Sequence, residues 1–220
     1  MSLYVGWTYF ADEFDALSTH LRSFATARPS ISSASDFTLE DECTLEGLLS
    51  RVWQTWGAFC RLCICESCLG TINGLGAVVP KHALALSEAH VSAAAIRAKS
   101  KASPPIWGAT NTTLRFEPTW GDVDVLAKII PHLGPTNQGQ LLAAFSGGSQ
   151  SAKALQLIRN AAAHNNLQTM ADVHNIRSRY LVFPITHPIQ ALYWVDPISK
   201  DFLVLQALED LLDTGLAAIS

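Results

Sequence analysis

The stretch from Leu39 to Leu69 constrains the fold most. Leu45, Leu48, Leu49, Val52, Trp53, Trp56, Phe59, Cys60, Cys63 and Ile64 recur at helical spacing within it, on more than one face of a helix. A helix that is apolar on several sides must be surrounded, either centrally in one chain or between subunits. Thr38 followed by Asp41 forms a capping box with the shorter acid and sets the start. Gly70 and the Gly74/Gly76 pair set the end. The chain has material to surround such an element, because 49% of its residues are hydrophobic and only 15% are charged. So low a charge also suggests a surface covered by a partner subunit.

The remaining segments read as further helices. Tyr9 to Ala27 carries Phe10, Phe14, Leu17, Leu21 and Phe24 on one side, with acids in what would be its early turns. Pro29 to Asp36 is a serine-rich loop. Lys81 to Ala102 is alanine-rich and ends in Arg97, Lys99 and Lys101. An irregular excursion occupies residues 103–118, with a short hairpin as an alternative. Trp120 to Leu133 is helical, and Pro131 bends or ends it. Gln138 to Phe145 is a short helix, followed by a flexible turn from Ser146 to Ser149. Thr169 to Tyr180 is helical, Val182 to Pro188 is extended or turning, and Ile189 to Val195 is short and apolar. Asp201 to Ile219 closes the chain as an amphipathic helix. The fold class is therefore all-α: a helical bundle with additional short helices in one domain over residues 1–220. Its core helices fall within 38–182, and the first and last helices pack on them.

At 220 residues and a formal net charge of -4, the chain lacks the overall positive footprint of a tight nucleic-acid binder. Any RNA contact must be local. The opening residues have no basic region and reach an acid by Asp12, so no secretory signal is expected. No apolar run of about 18 residues predicts a membrane span. Five cysteines, an odd number, suggest reduced thiols and a cytoplasmic location.

One further helix, from Ser151 to Asn166, combines a dry face with reactive side chains. Leu155, Ile158 and Ala162 form its apolar stripe, with Arg159, Asn160 and His164 between them. Asn165 and Asn166 supply a stop. Asn160 and His164 are four apart and share a face. Arg159 and His164 are five apart, roughly 140° around an ideal helix. One helix cannot easily aim both at one small target, whereas a second copy across a two-fold axis or a distorted last turn would help.

Arg159, the polar Asn160 directly after it, and His164 beyond four intervening positions resemble the Arg-x4-6-His signature of the HEPN superfamily. The resemblance implies a dimerising helical bundle that acts as a metal-independent endoribonuclease with no cofactor, as in many toxins and phage-defence effectors. Arg159, Asn160 and His164 would then be catalytic. His164 would move protons, since histidine ionises near neutrality. Arg159 would grip phosphate oxygens with its planar fork, and Asn160 would fix the His164 tautomer or hold a phosphate oxygen. The two copies would face one cleft on the two-fold axis, cutting by 2′-hydroxyl transesterification to a 2′,3′-cyclic phosphate and a 5′-hydroxyl. Arg177, Arg179 and Tyr180 follow closely and offer charge and a ring for RNA, or are simply solvated. The resemblance also admits a non-catalytic module that binds a partner protein, such as an antitoxin or another regulatory protein.

Cys60, Cys63, Cys65 and Cys68 invite a metal reading, but one residue separates the two Cys-x2-Cys pairs where zinc knuckles need a dozen or more. On a helix their sulfurs fan out, so buried thiols are the expected role, with a metal-binding helical protein as the competing one. The other histidines are scattered. No zinc-protease, nucleophile-elbow, phosphate-loop or dinucleotide motif occurs.

Overall fold

The computed structural model describes residues 2–28, 31–100, 106–110, 114–164 and 166–220. Among them the chain is all-α. Eight helices run α1 (Leu3–Ala27), α2 (Leu39–Leu69), α3 (Glu88–Lys99), α4 (Val123–Leu133), α5 (Gln138–Gly147), α6 (Ser149–His164), α7 (Leu167–Ile176) and α8 (Leu203–Ile219). Four short 3-10 turns accompany them, at Ala34–Asp36, Leu114–Phe116, Arg177–Arg179 and Pro188–Tyr193. The described strands are two residues each, β1 (Thr71–Ile72) and β2 (Val78–Val79), paired antiparallel with Thr71 opposite Val79. No described helix is long and apolar enough to cross a membrane.

The chain divides into two compact units built from discontinuous segments: 1–11, 56–149 and 213–220 in the first, and 12–55 and 150–212 in the second. The first unit is centred on aromatic residues. Trp56 is fully buried, with ring centroids of Phe10 at 5.9 Å, Phe59 at 6.2 Å and Phe145 at 6.0 Å. Its indole N–H donates to the Gly121 carbonyl at 3.1 Å. In the same unit α3 packs on α4 and α4 on α5. A half-buried ion pair ties α2 to the residue that follows the 3-10 turn at Leu114–Phe116. Arg61 Nη2 lies 2.9 Å from Glu117 Oε1, and that carboxylate also accepts from Ser92 and from the Trp120 indole. Burial would raise the Glu117 pKa, but the bonds from Arg61, Ser92 and Trp120 outweigh it and hold the carboxyl below its ordinary value.

The α1 helix starts six residues before the expected Tyr9, so Asp12, Glu13 and Asp15 lie in its middle rather than its first turn. Leu3 is fully buried there, and Gly6 passes so close to Leu62 that a Cβ would collide with it. Glycine is a poor helix former, which hid this first turn and a half. The α3 helix starts later than expected, at a Ser87 cap whose Oγ accepts from the His90 amide at 3.2 Å. Ala102 and residues 103–105 and 111–113 of the irregular excursion lie outside the described residues. Between α2 and α3 the chain makes the unforeseen hairpin. Gly70 turns it at a φ of +88° where a Cβ would sit 2.9 Å from Lys81, and Asn73 Oδ1 accepts from the amides of Leu75 and Ala77. Pro131 neither ends nor breaks α4. It sits in the last turn, before Gly134 caps the helix in the left-handed conformation.

The second unit opens α2 as the sequence indicated. The Thr38 amide and hydroxyl donate to Asp41 at 2.9 and 2.8 Å, and the Asp41 amide returns a bond to Thr38 Oγ1 at 3.2 Å. Arg28 Nε adds a contact at 2.8 Å. Burial alone would raise the Asp41 pKa, but the bonds from Thr38 and Arg28 prevail and keep the carboxyl below its ordinary value. A depressed folded-state pKa stabilises the fold above the unfolded value of about 3.9 and loses that contribution as pH falls through the folded value. Asp41→Asn is therefore expected to cost about 0.5–2 kcal/mol at pH 7. The gap from the wild type should narrow as pH falls below about 4, as measured by urea unfolding at pH 7 and pH 3. A gap that stays constant across that range would contradict the charged cap.

Candidate functional site

The α6 helix follows α5 through Gly148, where a Cβ would collide with the Thr214 hydroxyl. Ala152, Ala154, Leu155, Ile158 and Ala161 are its buried face. Ala162, expected in the apolar stripe, is only half-buried, so the stripe is turned by one residue toward Ala161. Small alanines let the helix pack closely and leave space on its other side. Arg159 and Asn160 are half-buried on that side, and His164 is exposed in the last turn, where a cation suits the helix dipole. Asn165 lies outside the described residues. Asn166, expected to help end α6, instead opens α7: its side chain accepts from the Thr169 amide at 3.0 Å, in extended backbone.

Asn160 turns its Oδ1 to Arg159 Nη1, 3.3 Å away. The amide expected to orient His164 therefore orients the guanidinium, because the long Arg159 side chain can reach back to its neighbour. Arg159 lines an open cleft of about 170 Å³ in the second unit. The α2 helix contributes Glu46, Leu49 and Ser50, α6 contributes Ala162 and Ala163 besides Arg159, and Ile189 contributes from its 3-10 turn.

The carboxylate in this cleft has a placed neighbour. His187 Nε2 lies 3.4 Å from Glu46 Oε1, while His187 Nδ1 accepts from the Ile189 amide at 3.4 Å. An accepting Nδ1 puts the neutral ring's hydrogen on Nε2, toward Glu46. Gln190, which is buried, fixes this loop. Its Oε1 accepts from the amides of Thr186 at 2.9 Å and His187 at 3.2 Å, and its Nε2 donates to Glu42 at 2.8 Å, one helical turn from Glu46. Glu46, Ser50 and the pairing of His187 with Glu46 were not foreseen. Two separate segments, α2 and the loop before the Pro188–Tyr193 turn, bring them together, and no local spacing in the sequence signals it.

Arg177 and Arg179 are exposed in the 3-10 turn after α7. Tyr180 is half-buried, its ring 6.4 Å from that of Trp194 and tilted to it, and burial raises its hydroxyl pKa. One side of that ring is thus already used by the protein.

Four of the five cysteines of α2 lie in the first unit, whereas Cys43 is exposed in the second. Cys60, Cys63 and Cys68 are fully buried and Cys65 nearly so. At about 100° per residue their directions fan over roughly 200° of the helix. Burial pushes the Cys65 and Cys68 thiols up to about 12 and drives Cys60 and Cys63 up as well. Among the described residues no three metal-binding side chains converge. The same unit holds His82 and His90 against Trp107, at centroid distances of 4.8 and 5.3 Å.

Comparison with protein-family models, with curated proteins and with solved structures found no match for this chain.

Proposed function

We propose that the second unit carries a ribonuclease site of HEPN type, working as a cytoplasmic homodimer in which each chain presents Arg159 and His164 to RNA. The supporting observation is that both side chains reach solvent from one short stretch of α6 whose opposite face is buried: Arg159 at the cleft, His164 on the open last turn. An imidazole sealed in apolar packing could not exchange protons with a substrate.

In the reaction, the 2′-oxygen of a ribose attacks its own 3′-phosphorus, the bond to the 5′-oxygen breaks, and a cyclic phosphate remains. His164 protonates the leaving 5′-oxygen, or takes the 2′-proton when it comes from the opposite chain. Arg159, steadied by Asn160, balances charge on the phosphorane. Arg177 and Arg179 extend the positive surface for the strand. Leu167 follows His164 by three residues and is 92% exposed, and the proposed interface would cover it.

The test is RNA cleavage in excess chelator by the wild type and by Arg159→Lys, which keeps the charge and loses the fork. Cleavage by the wild type with a clear loss in the variant is expected. An inert wild-type protein would overturn the proposal and favour the other reading, an interaction module for an antitoxin-like partner, which the same exposed Leu167 also suits.

A further inference from the structure

The same cleft that receives the Arg159 guanidinium also holds a carboxylate, and a second phosphate would be repelled by it. From this juxtaposition of Glu46 with Arg159 across apolar walls we infer that the cleft is a nucleobase subsite selective for guanine.

A carboxylate only accepts hydrogen bonds. Guanine alone among the four RNA bases shows two adjacent donors on one edge, at N1 and at the 2-amino group. Adenine and cytosine set a ring acceptor beside their amino group, and uracil flanks its single N–H with two carbonyls. Glu46 therefore attracts guanine with both oxygens and meets a repelling lone pair on each of the others. The carboxylate is held for this task. His187 points its Nε2 at Oε1, and the Gln190 bonds fix His187 against α2. His187 is thus a positioning residue.

The remaining walls fit a flat ring. Leu49 and Ile189 are buried side chains beneath the cleft, and Ala162 and Ala163 leave its other side low. About 170 Å³ falls below the roughly 300–1,000 Å³ of sites for drug-sized ligands and suits a single ring system. Arg159, at the same cleft, takes the phosphate next to that base.

The choice of an RNA base as ligand rests on the nuclease reading; the preference for guanine rests on Glu46. The experiment is titration of the purified protein with the 3′-monophosphates of guanosine, adenosine, cytidine and uridine. Guanosine monophosphate should bind roughly tenfold to a hundredfold more tightly than the others, the discrimination of a bidentate pair. Glu46→Gln replaces one acceptor with a donor and should abolish the preference. Because Glu46 is partly exposed, the variant should melt with the wild type. Equal binding of the four nucleotides, no measurable binding of any, or a preference unchanged in Glu46→Gln would overturn the inference. The outcomes separate from those of the nuclease test: guanine preference without RNA cleavage sinks only the nuclease, and cleavage without guanine preference sinks only the subsite.

Discussion

His164→Ala is expected to lower RNA cleavage about 10²- to 10⁴-fold, the usual worth of a positioned proton donor or acceptor, without altering the fold. The side chain is exposed on the last turn of α6, so its removal leaves the buried face of Ala154, Leu155, Ile158 and Ala161 intact. Surface changes of this kind cost within about 0.5 kcal/mol. Circular dichroism, melting temperature and sedimentation should therefore match the wild type. Only the rate should fall, and the loss should persist at saturating RNA. Undiminished cleavage by this variant would remove His164 from the chemistry.

Trp56→Ala should have the largest effect on stability, about 3–5 kcal/mol, as for other buried aromatic truncations. Trp56 is fully enclosed in the first unit by Phe10, Phe59 and Phe145. Its loss leaves a cavity the size of an indole and strips the Gly121 carbonyl of its donor. For a chain of this length the melting temperature should drop by roughly 6–20 °C. Thermal and urea unfolding measure it, and a loss below about 1 kcal/mol would contradict the enclosure of this ring. The two substitutions lie in different units and act on different quantities, one on rate and the other on stability.

What could be read from the sequence was what neighbours in sequence decide. The α2 boundaries follow from Thr38, Asp41 and Gly70, which act within one turn of themselves. Although Phe24 and Ala162, counted in those stripes, are only half-buried, most of the buried faces of α1 and α6 follow from apolar spacing. The start of α1 did not, because Gly6 opposes the helix locally and is kept for its close approach to Leu62. The hairpin after Gly70 did not: Asn73 closes its turn locally through Leu75 and Ala77, but its anchorage comes from bonds of Asn73 and Gly74 to Ser220 and Ile219, far along the chain. The candidate site divides the same way. Arg159, Asn160 and His164 are visible as a six-residue pattern, and their helical setting is as expected. The pairing of Asn160 with Arg159, and the gathering of Glu46, Ser50 and His187 at the cleft, depend on tertiary packing, and no local pattern announces them.

End-group analysis of RNA incubated with the wild-type protein in excess chelator tests the central proposal most directly. Fragments carrying a 2′,3′-cyclic phosphate at one end and a 5′-hydroxyl at the other are expected, since no water or metal-bound hydroxide enters the first step. RNA recovered intact, or cut to leave 5′-phosphate and 3′-hydroxyl ends, would contradict it.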